Sequence, residues 1–264
     1  MSCLAERGDA PAWDGVLQGL GLRPDGDGYC GRRIRFRVRS GWGTFESNGA
    51  QRSDALRGQL GRPGLWKLCA DERGALRGVF ELPPSLLALA ESHAARFQDL
   101  AGWALATAGG KLDRSWSPPT RAEVEGWLPD GALTLQVGAI ARQAALILDD
   151  DRLMFRFPVV HEIPRSLSAA RRAWLRELLV DAQNRWRLVR IGMNGSSEVQ
   201  AQVDLTGAPH HALEELVQIG TDALRFVVAS LVEPADFLVN GAAGCRAVEL
   251  GPTGRSPKNK RRER

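Results

Sequence analysis

The chain has 264 residues, of which 44% are hydrophobic and 25% are charged. This composition is typical of a globular protein and excludes a wholly disordered or fibrous chain, and no apolar run approaches the ~18–20 residues that cross a bilayer. The net charge is +4, but the basic excess lies near the C-terminus, so the body of the chain is close to neutral. The N-terminal residues carry charges of both signs and no apolar signal-peptide core, which predicts a cytoplasmic protein.

The first half of the chain predicts a unit of strands and helices, because alternating and helical apolar periodicities follow one another. The predicted elements are a helix at 13–20, strands at 33–39 and 43–47, a short middle segment at 54–65, a strand led by Trp66, a strand at 75–82 and a helix at about 85–107. Gly61 and Pro63 interrupt the middle segment, so we expect no well-formed helix there.

The second half predicts a similar order of elements. These are a helix at 121–128, strands at 133–137, 144–148 and 152–159, a helix at 169–185, a strand led by Trp186, a strand at 198–205 and a helix from Pro209. Asp149, Asp150 and Asp151 predict a hairpin tip rather than a cation site. Ser168 is the predicted N-cap of the middle helix. The predicted inner face of that helix comprises Trp174, Leu175, Leu178, Leu179 and Ala182.

The two halves are predicted to be copies of one unit. Trp66 and Trp186 are 120 residues apart, whereas Glu81 and Asp204, which close the following strands, are 123 residues apart. We assign the difference of three residues to the turn between the two strands. The sequence thus predicts an α+β fold, with two tandem copies of an antiparallel sheet that has helices packed on one face.

The predicted organisation is a first repeat at residues 1–110, a linker at 111–119, a second repeat at 120–250 and a disordered basic tail at 251–264. Two copies in one chain would form an intramolecular pseudo-dimer. The basic residues of the tail are Arg255, Lys258, Lys260, Arg261, Arg262 and Arg264. The tail either binds nucleic acid or an acidic partner, or is a solvated appendage.

Four arginines form a candidate binding stripe. Arg33, Arg35, Arg37 and Arg39 alternate with apolar residues, which places their guanidinium groups on one face of a predicted strand. The stripe is a candidate site for a partner polypeptide, since an acidic peptide or a phosphate would neutralise it. The alternative is a solvated outer face, or pairing with Glu46 and other acids on a neighbouring strand.

Histidines and cysteines, which often bind metals or act in catalysis, are scattered along the sequence. The histidines and cysteines are His93, His161, His210, His211, Cys3, Cys30, Cys69 and Cys245. They show no metal-ligand spacing and no CxxC pair, and no nucleotide-binding, zinc-protease or serine-hydrolase motif occurs. We therefore expect no enzymatic activity, no metal and no cofactor, and we expect the cysteines to be reduced.

The segment from Leu153 to Leu238 contains strand 153–158, the Ser-capped helix, the stretch 186–191 and residues 203–207 leading into the last helix. This order resembles the YbjN and type III secretion chaperone superfamily. The resemblance implies a compact fold of helices and strands in a non-enzymatic protein that grips another polypeptide. The resemblance extends to the first half only because the two halves are predicted to be copies of one unit.

Two functions follow as hypotheses. The first is a protein-binding adaptor or chaperone-like module that captures a segment of a partner protein, by strand addition at a sheet edge or in an apolar groove between the copies. The alternative is an accessory nucleic-acid-binding protein that uses the arginine stripe and the basic tail. No membrane partner is expected.

Overall fold

The structure is a computed structural model that describes residues 12–47, 56, 60, 63–70, 76–108, 110–111, 113, 115–129, 131–137, 140–194 and 197–241. Its helices are α1 (Asp14–Gly19), α2 (Pro84–Leu87), α3 (Leu89–Ser92), α4 (Ala94–Ala108), α5 (Arg121–Gly126), α6 (Ala169–Arg185) and α7 (His210–Asn240). Its strands are β1 (Arg23–Asp25), β2 (Gly28–Cys30), β3 (Ile34–Arg39), β4 (Trp42–Ser47), β5 (Lys67–Ala70), β6 (Leu76–Leu82), β7 (Thr134–Val137), β8 (Ile140–Gln143), β9 (Ala145–Asp149), β10 (Arg152–Val160), β11 (Arg190–Asn194) and β12 (Glu198–Asp204). Among the described residues, none of the helices contains an apolar stretch that could span a bilayer.

The strands form separate antiparallel sheets, which confirms the α+β prediction. The first sheet has the order β1-β2-β3-β4-β6-β5, and the second sheet has the order β11-β12-β10-β9. The hairpin β7–β8 forms a small sheet of its own. The β1–β2 hairpin and β8 were not predicted, although the Asp25-Gly26 pair is a typical turn signal.

The two larger sheets contain the same four-stranded unit. The order β3-β4-β6-β5 in the first sheet corresponds to β9-β10-β12-β11 in the second. The registers correspond as well, since Phe45 lies opposite Phe80 and, at the equivalent position, Phe155 lies opposite Val203. All four side chains are fully buried. We call these units the first and second repeats, and each repeat includes the segment between its second and third strands and the helices that follow its last strand.

The prediction of a strand led by Trp186 is wrong. Trp186 is the C-cap of α6, and β11 begins at Arg190. Lys67 lies opposite Val79 in the first repeat, and Arg190 lies opposite Gln202 in the second. Lys67 therefore corresponds to Arg190, and the three extra residues precede the strand rather than lie in the turn.

The predicted middle helix of the second repeat is confirmed from Ala169 to Arg185, with the Ser168 hydroxyl accepting a hydrogen bond from the Arg171 amide at 3.3 Å. Its predicted inner face is confirmed for Leu175, Leu179 and Ala182, which are buried. Leu178 is half-buried, and Trp174 is 58% exposed. Trp174 directly precedes Leu175 and falls just outside the apolar stripe that packs inward.

The helix predicted at about 85–107 is divided into α2, α3 and α4. His93 separates α3 from α4 with an extended φ of −147°, so it is not within a helix as predicted. The corresponding α7 of the second repeat is continuous over 31 residues. α4 ends at Ala108, close to the predicted end of this helix at about residue 107.

Each repeat covers part of the outer face of the other repeat's sheet. We define the inner face of the first sheet as the one that carries Phe36, Phe45 and Phe80. On its opposite, outer face, Lys67 Nζ donates to the Trp186 carbonyl at 2.5 Å, and the Arg187 guanidinium stacks on the Trp42 ring at 4.6 Å. The end of α6 therefore lies against this outer face.

The reciprocal contact lies on the outer face of the second sheet. The Gln202 side chain donates to the Leu60 carbonyl at 3.4 Å, and Arg190 donates to the Gly64 carbonyl. Gly192 permits the close approach, because a Cβ there would lie only 2.6 Å from Leu60 Cγ. The described residues of the first repeat's middle segment thus pack on the second repeat, which interlocks the two.

Candidate functional site

The structure divides the arginine stripe. Arg35, Arg37 and Arg39 lie on the outer face of β3, whereas Arg33 precedes the strand. Arg39 is exposed, and Arg35 and Arg37 are half-buried. The prediction of four guanidinium groups on one strand therefore holds for three of them.

Acidic residues of the β1–β2 hairpin neutralise the middle of this stripe. Arg35 pairs with Asp25 at 3.1 Å, and Arg37 pairs with Asp27 at 3.5 Å. Glu46 lies opposite Arg35 in β4, yet its ion pair is with Arg77 at 3.4 Å. The stripe thus offers less positive charge than its sequence indicates. The basic tail lies outside the described residues.

Two surface depressions lie on the first repeat. One, of about 440 Å³, is lined by Arg32, Arg33 and apolar residues, and the other, of about 310 Å³, includes Asp27, Tyr29 and Arg37. Burial and a hydrogen bond with Asp14 raise the pKa of Tyr29 to about 12, so its phenol stays protonated at neutral pH. Asp27 is already paired with Arg37. Neither depression presents a nucleophile beside a base.

The other chemically notable residues have structural surroundings. Asp150 and Asp151 form the two-residue loop between β9 and β10, as predicted for a hairpin tip. Burial raises the pKa of the Cys69 thiol to about 11, which suppresses the reactive thiolate. Among the residues that the structure describes, no three His, Cys, Asp or Glu side chains come together as a metal site would require.

Most edges of the two larger sheets are blocked. β1 is only three residues long and contains Pro24, which cannot donate a backbone hydrogen bond. The edge of β5 is covered by the Asn184 side chain, whose amide nitrogen donates to the Ala70 carbonyl at 3.0 Å and whose oxygen accepts from the Ala70 amide at 2.9 Å. These contacts prevent another strand from pairing there.

The edge of β11 is covered in the same manner. The Ile191 amide donates to the Gln183 side-chain oxygen at 2.6 Å, and the Met193 amide donates to the Leu56 carbonyl at 2.8 Å. Gln183 is a residue of α6 and Leu56 belongs to the first repeat. The interlocking of the repeats therefore also closes this edge.

Within the part of the chain that the structure describes, the remaining edge strand, β9, is open. It pairs with β10 on one side, and no backbone group in the described part of the chain pairs with its other side. Its sequence contains no Pro or Lys, the residues that commonly protect edge strands. Leu146, Ile147 and Leu148 are half-buried, and the two end residues are exposed.

In the first repeat, an additional strand covers the edge that is open at β9. β3 is the equivalent of β9, and its edge is covered by β2, where Tyr29 lies opposite Phe36. Phe36 is buried, whereas its equivalent, Leu146, is only half-buried. The β7–β8 hairpin precedes β9 as β1–β2 precedes β3, but β7 packs against α7 and leaves β9 unpaired.

The backbone groups available at this edge follow from the hairpin geometry. Asp149 lies opposite Arg152 across a two-residue loop, so these two residues exchange the hydrogen bonds that close the hairpin. By alternation, Ile147 and Ala145 also bond to β10. Leu146 and Leu148 direct their amide and carbonyl groups away from β10, toward the open edge.

No protein-family model matches the chain, and no curated protein or solved structure matches it either. The resemblance of the second half to the YbjN and type III secretion chaperone superfamily therefore stays a prediction. Sequence periodicity identified β9 as a strand, but its open edge depends on which strands pair. Only the unusual lack of Pro and charge within residues 144–148 hinted at it.

Proposed function

We propose that the chain is a non-enzymatic, chaperone-like adaptor that binds an extended segment of a partner protein as an additional strand beside β9. The observation that carries the proposal is the open, apolar edge of β9 in a molecule whose other large-sheet edges are blocked. The two repeats act as an intramolecular pseudo-dimer that holds this edge rigid. The proposal includes a reducing cytoplasmic location, which the free thiols of the two described cysteines, Cys30 and Cys69, support.

Strand addition would use both the backbone groups and the side chains at this edge. The outward-facing backbone groups of Leu146 and Leu148 would supply hydrogen bonds that do not depend on the partner's sequence, and the neighbouring side chains would supply specificity. A bound strand would also cover the half-buried leucines, as β2 covers Phe36 in the first repeat. Burial of this apolar surface would favour binding at ~25 cal/mol per Å².

The experiment compares Leu146→Pro with Leu146→Ala. Both variants remove the leucine side chain, but only proline removes the outward-facing amide, which β10 does not use. Peptides are first selected from a phage-displayed library of random dodecapeptides on the intact wild-type chain. The tightest peptide, labelled with fluorescein, is then titrated with each protein by fluorescence anisotropy.

We expect proline to weaken binding roughly tenfold or more relative to alanine, because one backbone hydrogen bond is lost and the ring obstructs the strand. Equal binding by the two variants, or a library that yields no binder, would overturn the proposal. Amide hydrogen exchange on the wild-type chain, diluted until it is monomeric, gives an independent readout if the proline variant unfolds. The amides of Leu146 and Leu148 should be protected by the peptide, and unchanged exchange would contradict strand addition.

A further inference from the structure

We infer that, in the absence of a partner, the β9 edge is covered by the β9 strand of a second copy of this chain. The inference rests on the same edge as the proposed function and states how access to it is regulated, since a partner segment must displace the second copy. It follows from the self-complementarity of the five residues of β9 and from an arginine and an aspartate that flank the edge and pair with no other described residue.

The backbone of β9 matches itself in an antiparallel arrangement. When a two-fold axis passes through Ile147, Leu146 lies opposite Leu148 of the second copy, and Leu148 lies opposite its Leu146. These are the residues whose amide and carbonyl groups point outward, so the two pairs would exchange four hydrogen bonds. The two four-stranded sheets would then form one continuous sheet of eight strands.

The side chains agree with this register. Leu146 and Leu148 lie on the inner face, so the apolar pairs would fall beside the existing cores, and Ile147 would meet its own copy on the outer face. A shift by one residue would instead bring groups that already bond to β10 against the new strand. Apolar side chains at the centre and a symmetric contact are typical of two-fold interfaces.

Charge complementarity also favours the β9 strand of a second copy at this edge. Arg156 of β10 lies opposite Ala145 and is half-buried, and among the described residues no hydrogen bond or ion pair involves its guanidinium group. In the proposed register, Asp149 of the second copy lies opposite Ala145 on the other side. Arg156 and that Asp149 would be two strand spacings apart, about 9.6 Å between backbones.

The small side chain of Ala145 leaves room for Arg156 to extend across it toward the carboxylate. Asp149 is exposed, and the acid that pairs with the neighbouring Arg152 is Asp151 rather than Asp149. The two-fold axis repeats the contact, so each dimer would contain two Arg156–Asp149 pairs. A single substitution therefore changes two contacts.

The experiment uses sedimentation velocity on the full chain across the micromolar range. Arg156→Glu places two carboxylates together, and Asp149→Arg places two guanidinium groups together, so each variant alone should dissociate at least about tenfold more readily than wild type. In an equimolar mixture of the two variants, every contact again joins opposite charges. We expect the mixture to form a heterodimer, and the double variant to form a homodimer.

Monomeric wild-type protein throughout this range would overturn the inference, and so would single variants that remain dimeric or a mixture that stays monomeric. Circular dichroism of each variant establishes that it is folded. A monomeric wild-type chain that still binds library peptides at β9 would leave the proposed function standing alone. A β9 dimer that binds no peptide would have the opposite meaning, since the inference would hold and the proposed function would fail.

Discussion

Asp204 is a residue whose ionisation is linked to the contact between the repeats. It lies at the end of β12 with 3% of its surface exposed, and its carboxylate accepts a hydrogen bond from the Thr206 amide at 3.0 Å. Burial raises its pKa, and the opposing influences of Arg190 and of hydrogen bonds from Thr206 and Gly64 do not fully compensate. Because Gly64 and Arg190 belong to different repeats, the state of this carboxyl affects both.

We predict that Asp204→Asn removes a pH-dependent component of stability. A carboxyl whose pKa is raised by folding binds more protons in the folded state, so its contribution to the free energy of unfolding falls as pH rises above the ordinary value of 3.8. Urea unfolding from pH 4 upward, followed by tryptophan fluorescence, measures the difference between wild type and variant. That difference should fall with pH, whereas a constant difference would contradict the prediction; Asp150→Asn, at the exposed hairpin tip, is the control.

Single residues also mark the limit of what the sequence could predict. The alternation at 33–39 correctly placed Arg35, Arg37 and Arg39 on one face, but the acidic partners of Arg35 and Arg37 lie in a hairpin that was not predicted. Trp174 was assigned to the inner face of α6 because it is apolar and lies near the stripe. Exposure depends on which helix packs beside it, and periodicity alone does not contain that information.

At the scale of an element, the Asn184 side chain covers the edge of one strand, β5. Its amide makes both hydrogen bonds to Ala70 that a neighbouring strand would make. We predict that Asn184→Ala lowers the free energy of unfolding by about 0.5–1.5 kcal/mol per hydrogen bond lost, at the lower end because the site is exposed.

Urea denaturation at neutral pH measures this change. Asn240→Ala is the matched control, because the Asn240 side chain donates to Asp236 on the exposed surface of α7 and closes no strand. A change no larger than that of the control would show that Asn184 does not secure the edge of β5. Faster hydrogen exchange at Ala70 with an unchanged free energy of unfolding would also contradict the predicted loss of global stability.

The elements themselves were predicted well where a local signal defines both ends. The bounds of α6 follow from its N-cap, Ser168, and from the helical spacing of its apolar residues. The position of the turn between β9 and β10 follows from the three aspartates at 149–151. The strand assignment at Trp186 was wrong because similar residues follow Trp66 and Trp186, which suggested that the two tryptophans are equivalent. The sheet registers instead make Lys67 equivalent to Arg190. In the structure Leu188 has a φ of +62°, outside the extended region, and Glu81 of the other repeat accepts a hydrogen bond from its amide at 3.1 Å. A contact from a distant part of the chain thus determines where β11 begins.

The whole molecule is held together by buried polar contacts between the repeats. Lys67, whose side chain is 2% exposed, pairs with Glu81 at 3.0 Å and also bonds to the Trp186 carbonyl. Glu81 in turn contacts Arg187 at 3.5 Å. Since part of the outer face of each sheet is covered by the other repeat, unfolding of one repeat would expose apolar and charged groups of both.

We therefore predict that the repeats unfold as one cooperative unit and that Lys67→Met destabilises both equally. Removing one partner of a buried ion pair costs about 3–5 kcal/mol, because the other charge is left without compensation. Native-state hydrogen exchange of the amides in β6 and β12 reports on the two repeats separately, and both sets should lose the same free energy. Arg121→Met, which removes an exposed pair with Glu125, should change either set by no more than ~0.5 kcal/mol. Loss of protection in β6 with β12 unchanged would mean that the interface does not couple the repeats, and the second repeat would then hold its β9 edge without help from the first.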